Sequence, residues 1–328
     1  MNIVLKTCLL SALLCNSFSL LAKEKPPLSF STAEVAPGLH MLMGVGGFTG
    51  GNIGLSVGND GVIMIDDSMP PMLDIMNSAI QSITKQPVDF LINTHVHGDH
   101  TGNNEAMSKA GTHIVAHQNL RTRLLTKGVR GKNGMEPAPK AALPVITFSD
   151  EMNFHLNGTN AHIFHVANAH TDGDAVIHFT DLNVVHTGDT FFNGMFPYID
   201  LASGGSVQGY IDAQKKVLSV SNDATKIIPG HGPLATKTDL HHSVTMLEET
   251  TKLINSLLKQ GKNEDQIVKL NPLAIYHEQW NWGFITTERM TRQLVKGLIA
   301  INTAKNDKEQ GSNSHHSHSN KQASDHSH

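Results

Sequence analysis

The 328-residue chain is short of cysteine, of basic excess and of long apolar runs. Its two cysteines, Cys8 and Cys15, both lie close to the start. The rest of the chain therefore excludes a disulfide framework, a cysteine nucleophile and thiolate metal ligands. Lysine plus arginine number 25 against 29 aspartate plus glutamate. That balance excludes a basic nucleic-acid binder. No apolar run reaches the roughly 20 residues of a transmembrane helix. The apolar stretch over residues 8–21 follows Lys6 and precedes Ala22 and the charged Lys23-Glu24-Lys25. It reads as a secretory signal peptide over residues 1–22, cleaved after Ala22. The expected location is the periplasm, with no membrane attachment once the leader is removed.

Linkers and repeats are missing too. No charge block and no Pro/Ser-rich segment interrupts residues 23–304, which are expected to form one domain. With 39% hydrophobic residues the chain has enough apolar side chain for a sizeable core. The last stretch, residues 305–328, has almost nothing apolar and is expected to stay unpacked. It holds His315, His316, His318, His326 and His328, which suit loose metal collection.

What the chain does have is histidine, 21 residues of it. Short strands are expected over His40–Met43, Asn52–Val57 and Val62–Ile65, separated by glycine turns. Residues Pro70 to Thr84 carry apolar side chains at helical spacing, at Met72, Ile75, Met76, Ala79, Ile80 and Ile83. Two further helices are expected, Asp239 to Gln260 and Thr286 to Thr303, the first closed by Gly261. Strand-rich and helix-rich segments together predict a layered α/β protein.

Four apolar strands end in the same chemistry. Phe90-Leu91-Ile92 runs into Thr94-His95-Val96-His97-Gly98-Asp99-His100. Ile163-Phe164-His165-Val166 runs into Ala169-His170-Thr171-Asp172. Val184-Val185-His186 is followed by Gly188-Asp189, and Ile227-Ile228 by Gly230-His231-Gly232. Loops at strand ends are where a scaffold displays chemistry. The first run places His95, His97, Asp99 and His100 within one short loop, a density that points to a metal. Imidazole and carboxylate suit zinc, and also permit iron or manganese.

The run His-X-His-X-Asp-His, followed in order by His170, Asp189 and His231, resembles the signature of the metallo-β-lactamase superfamily. The resemblance implies a four-layer αβ/βα sandwich with metals at one edge. It implies two zinc ions, one held by His95, His97 and His170 and the other by Asp99, His100 and His231, with Asp189 bridging them. Seven ligands are too many for one tetrahedral zinc, and two close cations need a shared anion. In such a site a metal-bound hydroxide is the nucleophile, and Asp99 is the expected catalytic residue, orienting it and handling its proton.

Substrate is less sharply written. No lysine follows Asp189, where some zinc β-lactamases hold a carboxylate, and Thr190-Phe191-Phe192-Asn193-Gly194 stands there instead. A bridging aspartate is closer to thioesterases and lactonases, but Asp172-Gly173-Asp174 departs from their usual Pro-Gly-His. The expectation is an exported dinuclear zinc hydrolase that opens a cyclic amide or ester of a small-molecule substrate, β-lactamase-like. Alternatives are a lactonase or thioesterase of the same fold, an iron-using redox member, and a periplasmic zinc-binding or buffering protein. Phe191, Phe192, Met195, Phe196 and Tyr198 form an apolar segment that suits either a pocket wall or ordinary packing. Asp66, Asp67, Asp172 and Asp174 are candidates to hydrogen-bond a ligating histidine, with His165 and His186 as weaker ones.

Overall fold

The computed structural model describes residues 26–316 apart from Lys132, with side chains as far as Ile301. The expected signal peptide and the end of the His-rich segment lie outside the described residues.

Chain order gives β1 (Ser29–Ala36), β2 (Leu39–Val45), β3 (Ile53–Gly58), β4 (Gly61–Ile65), α1 (Leu73–Ile83) and β5 (Phe90–Asn93). Next come α2 (Gly98–Thr101), α3 (Asn104–Lys109), β6 (His113–His117), α4 (Gln118–Lys127) and the small hairpin β7 (Val129–Gly131) and β8 (Gly134–Glu136). The strands β9 (Ile146–Phe148), β10 (Glu151–Leu156), β11 (Thr159–His165), β12 (Ala175–Phe179) and β13 (Val184–His186) follow. Then come α5 (Val207–Val220), β14 (Lys226–Ile228), β15 (Ala235–Thr236), α6 (Lys237–Lys259), α7 (Glu264–Leu270), α8 (His277–Trp280) and α9 (Thr287–His316). The backbone of α9 thus enters the stretch beyond Lys305 that the sequence reading leaves unpacked.

The strands form a seven-stranded sheet, β1-β2-β3-β4-β5-β6-β9, and a six-stranded sheet, β10 to β15 in order. Period-two alternation decides which side chain goes where. On β4, Ile63 and Ile65 face the second sheet, where they meet Ile163, Ile177 and Phe179. Val62 and Met64 face outward onto Met76, Ala79 and Ile80 of α1. The second sheet repeats the arrangement, with Val176, Val185 and Ile227 against Ala213 and Val217 of α5 and Leu240 of α6. Two sheets face to face, each backed by helices, make the four-layer αβ/βα sandwich. Each fully buried aliphatic chain in it contributes about 1.5–3 kcal/mol.

The expected helix from Pro70 begins with a 3₁₀ turn, Pro70–Met72, before α1, and buries Met72, Met76, Ala79 and Ile80. Helix α6 starts at a capping box in which Thr236 and Asp239 satisfy each other's backbone N–H groups. A fourth core, outside the sandwich, joins Phe196, Ile199 and Tyr210 to α6, α7 and α9 through Leu247, Ile267, Met290 and Leu294. That core fixes the C-terminal helices beside the loop after Asp189. No helix among the described residues is long and apolar enough to cross a membrane.

Candidate metal centre

The four histidine- and aspartate-bearing exits do not share one sheet. The β5 exit belongs to the first sheet, and those of β11, β13 and β14 to the second. They meet at one edge of the sandwich. His95, His97, His170 and Asp189 form one group of close donor atoms, and Asp99, His100 and His231 form another. All seven residues singled out in the sequence are brought together.

Asp189 stands between the groups, and its two oxygens face different ways. Its Oδ2 lies 3.6 Å from His95 Nε2 and 3.5 Å from His170 Nε2. Its Oδ1 lies 3.1 Å from His100 Nε2 and 3.3 Å from His231 Nε2. Asp99 Oδ2 completes the second group, 3.5 Å from His100 Nε2 and 3.4 Å from His231 Nε2. Two glycines make room. A Cβ on Gly51 would lie 2.1 Å from His100 Cε1, and one on Gly230 would lie 2.0 Å from Asp189 Oδ1. Asn52 clamps the His231 loop, donating from Nδ2 to Pro229 O and Gly232 O, both at 2.8 Å.

The ring nitrogens facing away from the centre dictate the tautomers. His170 Nδ1 donates to the Tyr198 carbonyl at 2.8 Å. His100 Nδ1 donates to Asp66 Oδ2 at 2.7 Å. His97 Nε2 donates to Asp200 Oδ2 at 3.0 Å. His95 Nδ1 donates to Thr94 Oγ1, which donates in turn to Asp66 Oδ2. Each inward nitrogen is then a bare acceptor. His170 Nε2 and His97 Nδ1 approach to 2.9 Å, an arrangement of two lone pairs that calls for a cation. Buried His95 Nε2, His100 Nε2 and Asp189 Oδ1 have no hydrogen-bond partner, although buried polar atoms are nearly always satisfied. These orphaned atoms, all imidazole nitrogen or carboxylate oxygen, fit a metal centre.

Electrostatics without ions divides the histidines. Burial pushes His170 down to about 4 and His95 well below the usual histidine range, with neighbouring imidazoles adding to it. Burial acts the same way on His231, but Asp189 and Asp99 outweigh it and raise this group to about 9. Burial also opposes ionisation of Asp189, yet His100, His231 and His95 hold it well below the ordinary carboxylate range.

Some sequence candidates fall elsewhere. Asp66 is the acid that orients a histidine, whereas Asp67 accepts from Asn103 N at 3.1 Å. Asp172 is paired with Arg123, through Nε at 2.6 Å and Nη2 at 2.9 Å. Asp174 accepts from Thr171 N at 2.7 Å and Thr171 Oγ1 at 2.5 Å. His186 bonds backbone at Gly188 and Asn52, and His165 at Asp174. The aromatic segment splits: Phe191 and Phe196 are core, while Phe192 packs on His231 (centroids 4.7 Å apart) and Tyr198 on His97 (5.8 Å). Sequence reasoning missed Asp200, Phe48, Trp282, Phe284 and Arg289. Phe48 stacks on His231 at 5.8 Å, and Trp282 meets Phe192 at 6.1 Å. Only Asp200, eleven residues past Asp189, carried a local signal, a capping acid before Leu201.

The profile of the metallo-beta-lactamase superfamily matches residues 46–231, and the chain belongs to that superfamily. A probable metallo-hydrolase of Bacillus subtilis (strain 168), YqgX, is 27% identical over 165 residues, which cover 48% of this chain and 74% of that protein. The alpha subunit of a 2,4-dinitroanisole O-demethylase from Nocardioides sp. (strain JS1661) is 23% identical over 211 residues, 63% of this chain and 60% of that subunit. Among solved structures, a metallo-beta-lactamase from Pontibacter korlensis superposes with a TM-score of 0.55 at 16% identity, over 67% of this chain and 99% of its own. The DIM-1 metallo-beta-lactamase superposes with a TM-score of 0.53 at 15% identity, over 68% of this chain and 99% of its own. The structural likeness is one of fold.

Proposed function

We propose that the chain is an exported dinuclear zinc hydrolase that opens a cyclic amide or ester, with β-lactams as the first substrate class and lactones and thioesters next. One observation carries the reading. Asp189 offers one oxygen to His95 and His170 and the other to His100 and His231. The proposed ligands are His95, His97 and His170 for one ion, Asp99, His100 and His231 for the other, and Asp189 for both. Bound ions would supply Lewis acidity and an activated water. The chain's own residues do the rest. Asp66 and Asp200 fix His100 and His97 in the tautomers that leave the inward nitrogens bare. Phe192 and the ring of Phe48 cover His231 and limit water at that side. Asp99 keeps 23% of its side chain exposed against 4% for Asp189. It is the carboxylate of the centre placed to hand a proton between the cleft and solvent.

The test is a substrate panel on zinc-loaded protein lacking residues 1–22: a penicillin, a carbapenem, an acyl-homoserine lactone and a thioester. Turnover of at least one, lost on chelation and restored by zinc, is the expected result. Protein that holds two zinc ions and turns over none of the four overturns the reading.

A further inference from the structure

Part of the wall beside the centre comes from chain outside the superfamily match, which ends at residue 231. Trp282, Phe284 and Arg289 come from the turn between α8 and α9 and the first turns of α9. Trp282 is anchored by its Nε1–H on Phe196 O at 2.8 Å. Its ring meets Phe284 at 5.6 Å, and Phe284 meets Tyr198 edge-on at 5.7 Å. Tyr198 in turn stacks on His97, at an interplanar angle of 29°. A continuous aromatic wall therefore runs from the ligand cluster outward.

Arg289 ends that wall. Its Cζ lies 4.1 Å from the Phe284 centroid and 5.4 Å from that of Tyr198. Nη1 donates to Phe284 O at 2.9 Å. One hydrogen bond and two ring faces hold the guanidinium in place, which leaves most of its five N–H donors unspent. Arg292, on the same helix, is already neutralised by Glu264, Asp265 and Glu288. Among the described residues Arg289 has no carboxylate within ion-pair distance. It is exposed, and only one aromatic ring separates it from a proposed metal ligand.

We propose that Arg289, Tyr198 and Phe284 form a substrate-anchoring subsite that takes a carboxylate borne on a planar, unsaturated body. The fork of a guanidinium matches a carboxylate with two parallel hydrogen bonds. The exposed ring of Phe284 and the neighbouring ring of Trp282 suit the planar body. The subsite names the substrate class of the hydrolase reading above and rests on that reading for turnover, though not for binding.

The test is calorimetric titration of zinc-loaded protein with biphenyl-4-carboxylate and with biphenyl-4-carboxamide. Wild-type protein binds the carboxylate at least about 10-fold more tightly than the amide, as expected for a charge-assisted pair. In Arg289→Gln the preference disappears while metal content and melting temperature stay unchanged. Arg289→Lys keeps only part of it, since the planar fork is lost. Equal binding of the two probes by wild-type protein overturns the proposal. So does a preference that survives in Arg289→Gln, which would place the carboxylate on the metals. Failure of the hydrolase reading looks different: no turnover across the panel, with the Arg289-dependent preference intact.

Discussion

His100 and Asp66 are joined by a 2.7 Å hydrogen bond with both side chains fully buried. The same carboxylate accepts from Thr94 N at 2.7 Å and Thr94 Oγ1 at 2.8 Å, so it braces His95 through Thr94 as well. Asp66 has φ 61°, a left-handed position that asparagine tolerates as well as aspartate. Asp66→Asn therefore keeps the backbone and turns one acceptor into a donor aimed at donors. Metal affinity is expected to fall roughly 10- to 100-fold, read by competition with a chromogenic chelator. An unchanged affinity would mean that His100 needs no orienting acid.

Asp189 is a heavier loss. Asp189→Ala removes a donor from both groups at once, and metal content measured by mass spectrometry is expected to drop at both positions. Neither group should survive alone at full strength. A variant retaining one tightly held ion would show that one triad is complete without the bridge.

Stripping the metal should also cost stability. An ion that binds only the folded chain at 1,000 times its Kd adds about 4 kcal/mol. For a domain of this size that is a shift in melting temperature on the order of 10 °C. Differential scanning calorimetry with and without chelator measures it, and coincident transitions would argue against a structural contribution.

Asp174 gives a pH signature from a residue that is not itself a proposed ligand, although it feels the charge of His97 and a backbone hydrogen bond from His170. Burial raises its carboxyl from the ordinary aspartate range to about 7, although the hydrogen bonds from Thr171 pull the other way. The folded state therefore binds the proton more tightly than the unfolded one. The stability this gives is fully present below about pH 4 and is lost as the pH rises through about 7. Asp174→Asn removes the titration, so the gap in melting temperature between variant and wild type should grow in the variant's favour from pH 5 to pH 8. Metal-free protein is used for both, and a constant gap would show that Asp174 titrates normally.

The His-rich end has its own test. Deleting residues 305–328 is expected to leave turnover at saturating zinc intact and to lower it when zinc is limiting. Loss at both concentrations would tie the segment to the domain itself.

What could be read early was whatever lay close together in the chain. His95, His97, Asp99 and His100 share one loop, and the order of His170, Asp189 and His231 behind it sufficed to pick out the seven residues that the fold brings together. The alternation on β4 and the spacing of Met72, Met76 and Ile80 gave the layers. Asp66 was only half legible, because two acids stand side by side and the backbone turn decides which one faces inward. Asp200 meets His97 across 103 positions. Trp282 reaches Phe192 only because the core around Phe196, Leu247 and Leu294 docks the last helices there. No local pattern carries that information. Nor does any pattern say that the four strand exits come from two sheets rather than one.

The clamp made by Asn52 has a kinetic meaning. It joins the β2–β3 loop to the His231 loop across 177 to 180 positions of chain. A half-made molecule ending before Asp189 already carries His95, His97, Asp99 and His100, yet it lacks both Asp189, which stands between the two groups, and His231. Such a fragment can hold an ion only loosely. If the centre takes metal as proposed, firm capture waits until both sheets have closed on each other, and metal uptake then follows assembly rather than leading it.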